Sequence, residues 1–193
     1  RLDSTLIEMA TGLGKTEVFT EITRTWEQGR VLIVCPLIQL IAQARKKIIK
    51  RTGISPGIER AASEANNTEW SYDTTIVASK QTLCSKIKAT GKRRYEKFKD
   101  IGLVIVDEAH LSITDEYLGF LDHFRNQGAK VLGVTATAKR HDKRAMGIFY
   151  KDCPYQYGIA TAVDDGWLVP AIAECVQLKT LDLSGVKTSV TTH

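Results

Sequence analysis

Three features that would indicate a membrane, secreted or metal-binding protein are missing from the sequence. No run of about 18 apolar residues occurs, which excludes a membrane-spanning helix, and no basic head followed by an apolar stretch indicates a signal peptide. The cysteines Cys35, Cys84, Cys153 and Cys175 lie far apart without a C-x-x-C pair, which argues against a zinc site or a disulfide framework. We therefore expect a protein of a reducing compartment, the cytoplasm, with no membrane partner.

Internal repeats, low-complexity segments and Pro/Gly/Ser-rich linkers are absent as well. Apolar residues make up 43% and charged residues 25% of the 193 residues, a balance typical of a globular protein rather than a disordered one. The length predicts a single domain, because domains commonly hold roughly 100–200 residues. Since the sequence begins with Arg1 rather than methionine, we expect it to be a piece of a longer protein.

Positive charge is in excess and is unevenly distributed. Lys and Arg number 27 against 22 Asp and Glu, for a net charge of +5. The basic residues form three clusters, at residues 45–51, 86–99 and 139–144. A positive surface of this kind favours a polyanionic partner such as nucleic acid, although solvated helix faces would produce the same pattern.

Short apolar runs alternate with segments of helical periodicity along the chain. The runs, which read as buried strands, lie at residues 6–7, 31–35, 75–78, 103–106 and 131–134. Helical periodicity appears over residues 15–28, 38–50 and 116–125. This alternation predicts an α/β fold with a parallel sheet and helices on both faces. Ligands of such a sheet bind at the carboxyl ends of its strands, so functional residues should directly follow the apolar runs.

A glycine-containing loop follows the first run and leads into the first predicted helix. It comprises Ala10, Thr11, Gly12, Leu13, Gly14, Lys15 and Thr16. Such a loop presents backbone N–H groups to phosphate, with the lysine reaching the β- and γ-phosphates and the threonine hydroxyl able to ligate Mg²⁺. We expect Lys15 to be an exposed charge at the end of this loop. Met9 stands where the strict phosphate-loop pattern has glycine, and a glycine-rich turn that binds nothing is the alternative.

Acids and hydroxyls follow two later runs. Asp107 and Glu108 come directly after the run at 103–106, with His110 two residues further on. One acid of such a pair can hold Mg²⁺ while the other polarises an attacking water, although an acidic surface turn is the alternative. Thr135 and Thr137 follow the last run. Their hydroxyls could connect the nucleotide site to a neighbouring domain, or simply belong to a threonine-rich turn.

Taken in order, these motifs resemble motifs I, II and III of superfamily 2 helicases and translocases. Residues 34–37 with Gln43 are similar to motif Ia, and residues 79–83 are similar to the S-x-Q-T/S-L loop of that family. Residues 162–170 resemble a stretch found after motif III in restriction-enzyme motor subunits and related DNA helicases. The resemblance covers residues 5–175, and nothing in the chain resembles the later motifs of a second RecA-like domain. We interpret the three tryptophans as core or surface-packing residues.

The resemblance implies a RecA-like P-loop NTPase domain, the first of two in such motors, spanning residues 1–180. Residues 181–193 would form a tail toward the second RecA-like domain, and an upstream segment that contacts adenine in relatives would be missing. The cofactors implied are ATP, bound by residues 10–16, and Mg²⁺, bound near Thr16 and Asp107. The catalytic residues implied are Lys15, Asp107, Glu108 as general base and His110, with Thr135 and Thr137 in coupling. Nucleic-acid contacts carried over from the family fall on Pro36, Leu37, Gln39, Ser79 and Gln81.

The predicted function is the ATP-binding half of a nucleic-acid helicase or translocase, with DNA favoured over RNA. Two alternatives stay open. A P-loop protein could use ATP for another purpose, such as phosphorylating a small molecule or remodelling a partner protein. Alternatively, this chain could bind nucleic acid without hydrolysing ATP, because half of the active site would lie in the second domain.

Overall fold

The computed structural model describes residues 3–61, 63–65, 73–137, 143–170 and 172. Within these residues the strands are β1 Ser4–Met9, β2 Arg30–Cys35, β3 Gly57–Glu59, β4 Thr75–Ser79, β5 Ile101–Asp107, β6 Lys130–Thr135 and β7 Asp152–Tyr157. The helices are α1 Lys15–Thr25, α2 Ile38–Thr52, α3 Lys80–Cys84, α4 Asp115–Arg125, α5 Lys143–Phe149 and α6 Ile159–Asp164. Two 3₁₀ turns lie at Arg94–Lys97 and Ala109–Leu111.

The strands form one sheet in the order β3-β4-β2-β5-β6-β1-β7, and every neighbouring pair is parallel. Each of the five apolar runs lies in a strand, which confirms the predicted α/β fold. The short strand β3 and the edge strand β7 were not predicted. In β7 most side chains are exposed and Pro154 interrupts the sequence, so this strand lacks the continuous apolar run that indicates a strand buried on both faces.

Helices cover both faces of the sheet, as predicted. Along β2, Leu32 and Val34 belong to the core that includes the aromatic side chains of α4. The alternating residues Ile33 and Cys35 belong to the other core, which includes Phe19 of α1 and residues of α2. Because successive side chains of a strand point to opposite faces, the two cores lie on opposite sides of the sheet.

The predicted helices are close to the observed ones. Helix α1 ends at Thr25, three residues earlier than predicted, because Trp26 adopts an extended conformation. Gly29 then has a φ of 90°, and a Cβ at this position would lie 2.7 Å from the carbonyl oxygen of Asp100. Within the part of the chain that the structure describes, no helix has both the length and the apolar character to cross a membrane.

Candidate nucleotide-binding site

The sheet brings the predicted motifs together along one edge. Strands β5, β6 and β1 are consecutive neighbours, with Asp107 paired to Val134 and Thr135 paired to Glu8. The residues that follow these strands therefore emerge side by side at the carboxyl edge. This is the place where open α/β sheets bind their ligands.

The loop after β1 has the conformation expected of a phosphate-binding loop. Gly12 and Gly14 have φ values of 89° and 84°, a left-handed conformation that glycine adopts without the steric cost of a Cβ. Gly14 is the N-terminal cap of α1, so Lys15 and Thr16 are its first two residues. Free N–H groups and the positive end of the helix dipole at this terminus favour an anion.

Lys15 is less exposed than we expected from the sequence. Its side chain is only 10% exposed, because the ammonium group turns back over the loop rather than into solvent. Nζ donates a hydrogen bond of 3.4 Å to the carbonyl oxygen of Met9 and lies 3.8 Å from Oε1 of Glu108. The lysine thus connects the phosphate loop to the acid pair after β5.

Asp107 and Glu108 have different environments although they are neighbours in sequence. Burial, followed by the charge of Glu108, raises the pKa of Asp107, whereas the backbone N–H of Glu108 and the charge of Lys15 oppose this rise. That N–H donates a 3.1 Å hydrogen bond to Oδ1 of Asp107. Glu108 has φ 52° and ψ 54°, a left-handed conformation that is uncommon for residues other than glycine.

A chain of polar contacts runs from Glu108 to the residues after β6. Nδ1 of His110 lies 3.4 Å from Oε2 of Glu108 and 3.0 Å from Oγ1 of Thr135. The Thr135 hydroxyl in turn accepts a 3.3 Å hydrogen bond from the backbone N–H of Thr137. His110 therefore contacts both the acid pair and the threonine segment, as an element that couples the two would require.

The oxygen atoms of Thr16 and Asp107 suit Mg²⁺. This ion prefers hard oxygen ligands, and in nucleotide sites one or two protein groups, phosphate oxygens and water supply them. The described residues contain no cluster of three or more His, Cys, Asp or Glu placed to hold a metal, so a closed all-protein metal site is not built there.

The predicted nucleic-acid contacts lie further along the same edge, where β2 leads into α2 and β4 leads into α3. Strands β2 and β4 are neighbours, with Cys35 paired to Ser79. Leu37 is 60% exposed, Gln39 and Gln81 are also exposed, and Pro36 is half-buried.

The hydroxyl of Ser79 is engaged within the domain. It accepts a hydrogen bond from the backbone N–H of Thr82 at 3.2 Å and donates to Oγ1 of the same residue at 2.8 Å. Because Ser79 is only 1% exposed, the structure gives its side chain the role of capping α3 and shaping the loop. Its contact with nucleic acid stays a prediction.

Ion pairs neutralise part of the first basic cluster. Lys47 and Arg51 of α2 lie 3.4 and 3.5 Å from Glu17 and Glu21 of α1. These pairs are exposed and contribute little to stability. They do, however, reduce the positive charge that α2 offers to a polyanion.

The second basic cluster is more strongly engaged in the fold. Arg94 and Lys97 lie 2.6 and 3.0 Å from the fully buried carboxylate of Glu59, and Arg93 lies 2.9 Å from Glu116. The third cluster, at residues 139–144, lies outside the described side chains. Much of the second cluster therefore has a structural role, which leaves fewer of its charges for a polyanionic partner.

Three aromatic side chains beside the phosphate loop, Tyr155, Tyr157 and Trp167, were not predicted to belong to the site. A cavity of about 550 Å³ is lined by Met9, Gly12, Leu13, Gly14, Tyr155, Tyr157 and Trp167. Trp167 is 74% exposed, so it is not a core residue, and its role as a surface-packing residue stays a prediction. Trp70 lies outside the described residues. The sequence Asp165–Leu168 contains Trp167. Its position next to the phosphate loop could not be predicted, because strand β7 was not predicted.

A phosphate loop, an acid pair and a histidine–threonine network at one edge of a parallel sheet define the first RecA-like domain of a superfamily 2 helicase. Residues 1–140 match the family described as the res subunit of type III restriction enzymes, and the chain belongs to that family.

Several helicase proteins are similar to the chain. IRC3 of Saccharomyces cerevisiae, whose name refers to an ATP-dependent helicase, is 30% identical over 95% of this chain and 27% of its own length. The ATP-dependent DNA helicase mph1 of Aspergillus niger is 31% identical over 68% of this chain and 12% of its own length. An endonuclease subunit of the Escherichia coli type I restriction enzyme EcoAI is 27% identical over 86% of this chain and 20% of its own length. The chain thus spans between 12% and 27% of the length of these relatives.

Solved helicase structures share the fold. The Hef helicase domain of Pyrococcus furiosus superposes with a TM-score of 0.59 at 24% identity, covering 80% of this chain and 35% of that one. UvsW of bacteriophage T4 superposes with a TM-score of 0.59 at 18% identity, covering 78% and 31%. S. cerevisiae Dbp5, bound to RNA and ADP BeF3, gives 0.60 at 17% identity, covering 80% and 42%. Such likenesses establish the RecA-like architecture.

Proposed function

We propose that the chain is the ATP-binding half of a helicase or translocase that uses ATP hydrolysis to move along or unwind nucleic acid. The observation that carries this proposal is the 3.8 Å contact between Lys15 and Glu108. The proposal is supported because the ammonium group of the loop lysine and the carboxylate of the candidate base lie next to each other at the sheet edge. Family membership supports ATP as the nucleotide.

The proposed roles follow from position and chemistry. The backbone of the loop at residues 10–16 holds the phosphates, and Lys15 contacts the terminal ones. Thr16 and Asp107 hold Mg²⁺, which when bound would neutralise charge on the phosphates. Glu108 accepts a proton from the attacking water, because a carboxylate can act as a general base and this one lies 3.8 Å from the lysine of the phosphate loop.

His110, Thr135 and Thr137 transmit the state of the nucleotide toward the nucleic-acid surface. The 3.0 Å contact between His110 and Thr135 supports this role, because a shift of Glu108 would reach Thr135 through one intervening ring. A second RecA-like domain would receive the signal and complete the active site. The domain boundaries at residues 180 and 181 and a cytoplasmic location stay predictions.

We favour DNA over RNA as the nucleic acid. The names of the mph1 and EcoAI relatives refer to a DNA helicase and an endonuclease subunit, whereas the Dbp5 structure contains RNA and is similar only in fold. Exposed Leu37, Gln39 and Gln81 offer backbone N–H groups and amides beside the half-buried Pro36. Contacts of this kind position phosphates without reading sequence.

A phosphate-release assay tests the proposal. The chain is joined to a second RecA-like domain, and hydrolysis of MgATP is measured alone, with DNA and with RNA. We expect turnover that nucleic acid stimulates, with DNA more effective than RNA. Hydrolysis that neither nucleic acid stimulates would favour the remodelling of a protein partner, and phosphate transfer to a small molecule would favour a kinase.

A further inference from the structure

Helix α3 carries the exposed Gln81 and depends on contacts with other segments for its position. It has only five residues, and isolated helices this short are not stable in water. At its end, the backbone N–H of Arg94 donates a 2.9 Å hydrogen bond to the carbonyl oxygen of Ser85. Within the helix, the hydroxyl of Thr82 accepts a 3.1 Å hydrogen bond from the backbone N–H of Ala61. The position of Gln81 therefore depends on Arg94 and Ala61.

The guanidinium group of Arg94 joins the turn at Ala61 to strand β3. Its Nη1 donates a 2.6 Å hydrogen bond to the carbonyl oxygen of Ala61, and its Nε donates one of 2.7 Å to Oε1 of Glu59. Ala61 has a φ of 46°, a left-handed conformation that is unfavourable for a residue with a side chain. Arg94 at its carbonyl group and Thr82 at its N–H group thus hold this residue from both sides.

Glu59 gives this arginine a fixed anchor on the sheet. Its carboxylate is fully buried at the end of β3, where Glu59 is paired with Ala78 of β4. Oε2 accepts a 2.9 Å hydrogen bond from the backbone N–H of Ala65 and lies 3.0 Å from Nζ of Lys97. A buried carboxylate with several partners has little freedom to move, because losing a partner is costly. The arginine is therefore held beside the strand from which α3 continues.

Contacts within the domain leave Arg94 poorly placed to bind nucleic acid itself. Its side chain is only 15% exposed, and each of its three guanidinium nitrogens contacts an oxygen of the domain. The candidate contact residues Leu37, Gln39 and Gln81 are exposed by comparison. An effect of Arg94 on nucleic-acid binding would therefore act through the position of α3.

We propose that Arg94 is a positioning residue for nucleic-acid binding, which fixes α3 and its exposed Gln81 by holding the turn at Ala61. This inference rests on the proposed function, because it requires the segment after β4 to contact nucleic acid. A guanidinium group suits the role, since its planar fork reaches two acceptors in a fixed geometry, whereas a lysine ammonium group is a single point charge. Replacing Arg94 with lysine therefore keeps the charge and removes the bridge between Glu59 and Ala61.

Titration of a fluorescent single-stranded DNA from low to high salt tests this role, together with calorimetry of MgATP binding. We expect Arg94→Lys to weaken DNA binding about tenfold, the order of one lost hydrogen bond to a charged group. The slope of affinity against salt should stay the same, because no phosphate contact is lost, and MgATP should bind as it does to the wild type. Arg24→Lys is the matched control, since Arg24 pairs with Glu21 on the surface of α1. This control should bind both ligands like the wild type.

Thr82→Val removes the other contact of Ala61 and should also weaken DNA binding. If both residues act through the same turn, the double variant should bind DNA about as weakly as the weaker single variant, because neighbouring residues of one network are not additive. Full additivity of the two effects would show that Arg94 does not act through Ala61. Circular dichroism checks that each variant folds, and Thr82→Val tests the same turn if Arg94→Lys does not fold.

The outcomes separate this inference from the proposed function. Unchanged DNA affinity in Arg94→Lys or in Thr82→Val, with normal binding by the wild type, would overturn the positioning role and leave the proposed function standing. A changed salt slope would also overturn it, because Arg94 would then contact a phosphate directly. Equal weakening of DNA and MgATP binding would overturn it as well, because the arginine would then act on the whole domain. If the wild type did not bind DNA, the proposed function would fail and this inference with it.

Discussion

At the scale of the residue, Lys15 has more than one interaction. Its ammonium group contacts the carbonyl oxygen of Met9 and lies 3.8 Å from Glu108, at a side-chain exposure of 10%. In this position it stabilises the negative charge after β5 and remains close to the loop that would hold phosphates. Removing it should affect binding far more than folding, because the side chain contributes no apolar surface to either core.

We expect Lys15→Ala to weaken MgATP binding by about 10–100-fold, the order of a lost hydrogen bond between charged groups. Calorimetry measures the affinity, and circular dichroism checks that the fold persists. Lys47→Ala is the matched control, because it removes a lysine paired with an acid on the surface, 3.4 Å from Glu17. Equal MgATP affinity in wild type and Lys15→Ala would contradict the assignment of the loop.

Glu108→Gln should keep MgATP affinity and abolish turnover. Glutamine preserves the size and hydrogen-bonding capacity of the side chain but cannot accept the proton of the attacking water. Turnover is measured by phosphate release in a protein that joins this chain to a second RecA-like domain. If the rate stays within about tenfold of the wild type, Glu108 is not the general base, since such a base commonly contributes 10²–10⁴-fold.

The positions of the proposed catalytic residues could be predicted because they depend on topology alone. Asp107 and Thr135 end buried strands, and parallel strands bring their carboxyl ends together. The low exposure of Lys15 and the left-handed conformation of Glu108 could not be predicted, because both depend on contacts between separate loops. The exposure of Trp167 could not be predicted for the same reason, since it depends on how the turn after α6 meets the phosphate loop.

At the scale of the element, strand β6 packs more tightly than its sequence indicates. A Cβ at Gly133 would lie 2.6 Å from Cε1 of Tyr150 and 2.9 Å from Cβ of Ala109. Ala109 lies between Glu108 and His110. The absence of a side chain at position 133 therefore lets the turn that contains these residues lie close to the sheet. The apolar run at 131–134 predicted the strand but gave no indication of this close approach.

We expect Gly133→Ala to lower the free energy of unfolding by about 1–3 kcal/mol, the usual effect of overpacking. Gly119→Ala is the matched comparison, because Gly119 lies within α4 and a Cβ there would meet nothing within 4 Å. That substitution should raise the free energy of unfolding by about 0.5–1 kcal/mol through helix propensity. Urea denaturation measures both, and two substitutions with equal effects would show that β6 has room for a methyl group.

At the scale of the whole molecule, the net charge of +5 overstates the positive surface. Three basic residues of the second cluster form ion pairs within the domain. Arg94 and Lys97 pair with the buried Glu59, and Arg93 pairs with Glu116. Sequence composition counts these residues without showing their partners. The surface available to nucleic acid is therefore smaller than the three clusters suggest.

We expect this chain alone to bind single-stranded DNA weakly, with an affinity that falls steeply as salt rises, because lysine and arginine contacts to phosphate release counterions. Titration of a fluorescent strand at increasing salt measures this, and salt-independent binding would show that the basic clusters are only solvated surface.

ATP hydrolysis by the chain alone should be barely detectable, because an arginine finger from a second domain contributes about 10³–10⁵ in rate to comparable reactions. Robust stimulated turnover by the chain alone would instead show that a complete site forms within it.

Because of its left-handed conformation, Glu108 lowers the stability of the fold while it supplies the proposed general base. A residue with a side chain held at φ 52° costs about 1–3 kcal/mol, and glycine at that position would relieve most of it. A laboratory search that ranks variants by heat resistance would therefore favour glycine over this glutamate and discard the proposed base. Thermal screening of this protein therefore needs position 108 held fixed, since the variant with the highest thermal stability there would lack the proposed general base.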